Sequence, residues 1–99
     1  IWYVDFKLKV EFEYDTATVG GRIYASINTG TDYTEVSYGR MSATSQQQMT
    51  CNTATLIDVT NTTTVLIKFS LFGGSTSTHV LGNTGLDETA FMFLRLGDT

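Results

Sequence analysis

Proline is absent from this sequence, and cysteine and histidine each occur once. A lone cysteine, Cys51, excludes an internal disulfide, so nothing covalent staples the fold. No Lys, Arg or His lies beside it in sequence, and a reactive thiol needs such a neighbourhood. Cys51 therefore reads as a packed strand thiol. His79 stands in a Ser- and Thr-rich stretch without a second imidazole or thiol, whereas zinc sites need several ligands. Charge is scarce as well: Asp, Glu, Lys and Arg make up 16% of the chain, against about a quarter in ordinary soluble domains. The net charge of -4, with no basic cluster, argues against duplex nucleic acid or an anionic membrane as a partner. No apolar run approaches the ~18 residues of a membrane-spanning helix. Neither Gly20-Gly21 nor Gly73-Gly74 leads into a helical pattern, so neither reads as a phosphate loop. No enzyme signature emerges, and no cofactor is expected. Asp87 and Glu88, with loop carbonyls, form the set of oxygens best suited to calcium.

What is present is alternation. From Trp2 to Tyr14 every second residue is apolar or aromatic: Trp2, Val4, Phe6, Leu8, Val10, Phe12 and Tyr14. The interleaved residues are Tyr3, Asp5, Lys7, Lys9, Glu11 and Glu13. A period of two predicts an extended strand with one buried face. Threonine, the commonest residue, favours the same backbone because its branched Cβ restricts χ1.

Further strands are expected over Arg22–Ile27, Tyr33–Met41, Met49–Val59, Thr64–Phe72 and Glu88–Leu96. Asp15–Gly21 and Thr60–Thr63 read as turns, and Asn28–Asp32 as a hairpin loop, since Asn and Gly accept positive φ. Gly73–Asp87 reads as a long connection. Short strands at regular spacing predict a single all-β domain, an antiparallel β-sandwich spanning residues 1–99. The chain opens inside a strand, so it is expected to be the C-terminal part of something longer.

Two strands lack a polar face. In Thr64–Phe72 the alternating set Val65, Ile67, Phe69 and Leu71 is opposed by Leu66 and Phe72. In Glu88–Leu96 Phe91 and Phe93 share one face, and Ala90, Met92, Leu94 and Leu96 the other. A two-layer sandwich cannot hide both faces of such a strand, so self-association, or cover by a further segment of the same chain, is expected. Tyr24, Tyr33 and Tyr38, with Asn28 and Asp32, are the residues suited to a glycan or ligand surface. Asn61-Thr62-Thr63 matches the glycosylation acceptor pattern, which has meaning only in a secreted eukaryotic setting.

The run Ile1-Trp2-Tyr3-Val4-Asp5-Phe6-Lys7-Leu8-Lys9-Val10 resembles a strand of the complement C1q and tumour necrosis factor-like jelly rolls. Ile23–Asn28, Cys51–Val59, Val65–Phe69 and Thr89–Gly97 are similar to later strands of that superfamily. The likeness is a pattern of apolar positions over nearly the whole chain. It departs at Thr60–Thr63, where the family has a Gly-Asp turn, and at Met92-Phe93, where the family has Ser-Gly. The family's first strands are missing before Ile1, or are supplied elsewhere.

The resemblance implies a non-enzymatic homotrimer with the first and last strands near the threefold axis. Trp2, Tyr3, Phe6, Phe91, Phe93 and Leu94 would then form the interface, and the charges on the first strand would pair across subunits. A surface rich in Thr, Ser and Asn suits the tip, knob or decoration domain of a viral or phage fibre or capsid. Such a module would meet other structural proteins, and a host receptor or glycan, outside the cell or on the virion surface. The alternative is a secreted receptor- or glycan-recognition domain of the same fold.

Overall fold

The computed structural model describes residues 1–12, 17–43, 47–74, 78–82, 85–86 and 88–97. Seven strands run through them: β1 (Trp2–Phe12), β2 (Ala17–Ser26), β3 (Thr34–Ala43), β4 (Gln47–Ile57), β5 (Leu66–Gly73), β6 (Thr78–Val80) and β7 (Ala90–Arg95). All pairings are antiparallel, and there is no helix among the described residues. No helix is therefore long and apolar enough to cross a membrane. β1 lies at the centre of one sheet, with β4 on one side and β6 and β7 on the other. The second sheet has the order β3-β2-β5. The two antiparallel sheets make the expected all-β sandwich.

The alternation in β1 becomes its burial pattern. Val4, Phe6, Leu8, Val10 and Phe12 are at most 3% exposed and form the core with Val19, Ile23, Met41 and Ile57. Burying one such side chain stabilises the fold by about 1.5–3 kcal/mol. β4 pairs with β1 along its whole length, from Trp2 opposite Ile57 to Phe12 opposite Gln47. The sequence Cys51-Asn52-Thr53 suggests a bend around Asn52, but Asn52 sits opposite Lys7 in an unbroken register. The other edge of β1 is shared. β7 covers Trp2 to Lys7 and β6 covers Val10 to Phe12. Between them the Lys9 N–H donates to the Thr89 hydroxyl at 3.2 Å, and the Lys9 carbonyl accepts from Leu81 N–H at 2.9 Å. These bonds satisfy backbone groups that would otherwise be left unpaired.

The structure corrects two expected connections. Much of the Asp15–Gly21 turn is strand, since β2 begins at Ala17; Asp15 and Thr16 lie outside the described residues. The reason is packing. A Cβ on Gly20 would stand 2.4 Å from the ring of Phe72, and one on Gly21 would stand 2.5 Å from the ring of Phe6. The two glycines make room for one ring on each face of the strand. The second correction is β6, which lies within the expected Gly73–Asp87 connection and pairs with the end of β1. A third finding concerns Val36 and Tyr38, whose spacing predicts a shared face. Ile23 is opposite Ser37 while Tyr24 is opposite Glu35, so Val36 is the extra residue of a bulge and the alternation resets there.

The sandwich is closed along one flank only. On the β3/β4 side Ser37 and Thr53 share a hydroxyl hydrogen bond, and the Ser37 hydroxyl is 3.0 Å from the Ala54 carbonyl. A Cβ on Gly39 would come within 2.8 Å of the Asn52 carbonyl, which marks how closely the two backbones approach. On the opposite flank β5 and β7 each end their sheet without a further strand among the described residues.

Candidate functional site

β7 lies at that open flank. Its register with β1 puts Phe91 beside Phe6 and Phe93 beside Val4, facing the second sheet. Met92 and Leu94 sit beside Asp5 and Tyr3 on the outer face. The Phe91 ring stacks on Phe69 at 4.2 Å and tilts against Phe6 at 5.1 Å, while Phe93 meets Phe69 edge-on at 5.9 Å. These rings bind β7 to the core, yet Phe91, Met92, Phe93 and Leu94 are all 48–53% exposed. On the outer face Leu56, Tyr3 and Leu94 lie side by side across three strands. The residues expected at an interface thus divide. Trp2, Phe91 and Phe93 edge the interior, Tyr3 and Leu94 lie outside, and Phe6 is buried beneath Phe69 and Phe91.

The charged face of β1 finds partners within the chain. Lys9 Nζ is 3.4 Å from Glu88 Oε1, Asn52 donates to Asp5 at 3.2 Å, and Gln48 donates to Glu11 at 3.0 Å. The Lys9 pair is partly exposed and is worth ~0–1 kcal/mol.

The outer face of the β3-β2-β5 sheet gathers rings and cations. Lys68 Nζ lies over both Tyr24 and Tyr33, 4.6 and 4.4 Å from their centroids. Arg22 covers the Phe72 ring at 4.2 Å, with Nε 3.7 Å from Glu35. Tyr38 meets the edge of Phe72 at 6.5 Å. Three of the five residues suited to a ligand surface, Tyr24, Tyr33 and Tyr38, join this cluster. Lys68, Arg22 and Phe72 were not singled out by sequence, because only the cross-strand register brings them there. Asn28 and Asp32 do different work. Asn28 Nδ2 donates to Asp32 Oδ2, and Asn28 Oδ1 accepts from the Asp32 N–H, both at 3.0 Å. The buried Ser26 hydroxyl accepts from Gly30 N–H at 2.9 Å and Asn28 N–H at 3.3 Å. Together they hold the hairpin loop, in which Thr29 and Gly30 take positive φ.

Titratable groups are dispersed. Among the described residues no three of His, Cys, Asp and Glu converge to hold a metal. Of the calcium set, Asp87 lies outside the described residues, and Glu88 faces Lys9. His79 is exposed on β6, in register with Glu11. Burial raises the Cys51 thiol above its ordinary range, opposed by a hydrogen bond with the Gly21 backbone. A raised thiol is the less reactive one at neutral pH. The chain matches no family model, no curated protein and no solved structure.

Proposed function

We propose that this chain is a non-enzymatic, self-associating β-sandwich module of a larger structural or adhesive assembly. The observation that carries the reading is β7: an edge strand whose four central residues are apolar and half-exposed on both faces. Exposed apolar area of this kind marks a contact surface. Copies that shelter one another's β7 flank would remove Met92, Leu94 and the adjoining Leu56 from water at roughly 25 cal/mol per Å². The C1q and tumour necrosis factor-like resemblance makes the assembly a homotrimer with a jelly-roll protomer. The sparse charge and Thr-rich surface favour a tip, knob or decoration domain of a viral or phage fibre or capsid, displayed on the virion or outside the cell.

Sedimentation equilibrium tests the reading. The expected result is a species of three chains that Leu94→Asp converts to a folded monomer. A wild-type protein that stays monomeric over the accessible concentration range overturns it. A second reading, receptor or glycan recognition by the same fold, is favoured by the cation–ring cluster of Arg22, Tyr24, Tyr33, Lys68 and Phe72. A glycan array separates the two: recognition predicts binding that Tyr33→Ala or Lys68→Ala removes while the assembly mass is unchanged.

A further inference from the structure

At the end of the sandwich where β1 begins, the core is left hollow. A cavity of about 330 Å³ opens between the sheets, walled by Trp2, Ile57, Val59, Val65, Ile67 and Phe93. Among the described residues lining it, the Thr62 hydroxyl and the Trp2 indole N–H are the only polar side-chain groups. A second cavity of about 520 Å³ adjoins it and shares Trp2, Val59 and Thr62. Its wall is mixed, with Asp58, Thr60 and Arg95 beside Ile1 and Trp2, and is the more polar of the two. The rim is built rather than loose. Asn61 Oδ1 accepts from Thr63 N–H at 2.8 Å, and the Asn61 carbonyl accepts from Val65 N–H at 3.1 Å, which places Thr62 between the two chambers.

From this segregation we infer that the paired cavities bind a small amphiphile, with its hydrocarbon body between the sheets and its polar head beside Asp58 and Arg95. The inner chamber is of the size of small-molecule sites, about 300–1,000 Å³. An apolar chamber holds water poorly and takes up apolar matter instead. The outer chamber carries groups of both signs, Asp58 against Arg95 and the Ile1 ammonium, so it favours a head that is zwitterionic over one of a single sign. A concave space that opens to solvent between two sheets suits such a molecule better than it suits a flat protein partner.

Trp2 lines both chambers and is the only tryptophan, so it reports on occupancy directly. The test titrates the 99-residue chain with n-decylphosphocholine below its micellar concentration, following Trp2 emission, with sedimentation run in parallel. Expected is a saturable shift of emission to shorter wavelength at one amphiphile per chain, with n-decyl sulfate and the free phosphocholine head each binding at least tenfold more weakly. Val65→Phe, and separately Ile67→Phe, fill the inner chamber and should each weaken binding at least tenfold while the strand circular dichroism is retained. Should one of these fail to fold, the other carries the test. A non-saturating change, or affinity unaltered in the folded filled variant, overturns the site. An emission change that appears only as an oligomer dissociates assigns the hollow to a second copy of the chain and overturns it equally.

Discussion

Gly21 offers the sharpest test of how the sheets fit. A Cβ added there would lie 2.5 Å from Phe6 Cε2 and 2.9 Å from Cδ2, and its three nearest neighbours all belong to that ring. Phe6 is 3% exposed and bounded by Phe69 and Phe91, so it has little room to retreat. Gly21→Ala should therefore cost about 1–3 kcal/mol, the range for overpacking. Stiffening of the unfolded chain by alanine returns about 0.4–1 kcal/mol of this. Because the obstruction is one ring, shrinking it should relieve the strain. Phe6→Leu alone should cost less than the about 3–5 kcal/mol of a Phe→Ala truncation. The double variant Phe6→Leu/Gly21→Ala should lose less than the sum of the singles, by about 0.5–3 kcal/mol. Urea unfolding followed by circular dichroism measures all three. Gly20→Ala is the contrasting case. Its Cβ would meet the Gly39 carbonyl oxygen at 2.3 Å as well as Phe72, so trimming Phe72 to Leu should not rescue it. Additive losses for the Gly21 pair would refute the argument that Gly21 is there to seat the Phe6 ring, and rescue of Gly20→Ala by the Phe72 trim would refute the argument that the Gly39 backbone bars a side chain at Gly20.

Other consequences can be checked singly. Ser26→Ala removes the acceptor that holds the N–H groups of Asn28 and Gly30 and should cost about 0.5–1.5 kcal/mol per bond, read from the urea midpoint. Phe12→Ala empties the far end of the core and should cost about 3–5 kcal/mol; a loss under about 1 kcal/mol would mean that this end is not packed as described. Met92→Lys should lower the sedimentation mass while leaving strand content intact, and unchanged mass would remove Met92 from the contact. Cys51 should react with Ellman's reagent more slowly in the native protein than in urea at the same pH. Its raised value adds stability that is complete below the ordinary thiol range and is lost as pH climbs through the raised one, so urea midpoints should fall on the alkaline side.

The parts of the fold that sequence revealed are those where local pattern and burial agree. β1 alternates without interruption because one face meets the second sheet along its entire length, and its core residues could be named in advance. The Asn28–Asp32 loop was legible because its chemistry is local. Gly20-Gly21 misled because glycine signals a turn, whereas here distant rings hold it extended. The three residues of β6 carry no signal of their own and are strand only because the edge of β1 recruits them. The same holds for the candidate surfaces. The apolar character of β7 was visible in its composition, but the cluster around Lys68 and Arg22 and the hollow beside Trp2 depend on registers between strands far apart in the chain.

The placement of β1 has a bearing on how the protein is made. Among the described strands it is synthesised before any other, yet the neighbour that covers Trp2 to Lys7, Ala90–Arg95, follows all of them in the chain. Until that tail emerges, half of the central strand has one naked edge. Loop-closing contacts of such span are slow to form. Nascent chains stalled before residue 90 should therefore stick to hydrophobic capture surfaces, and the sheet should close only once Ala90–Arg95 docks on β1.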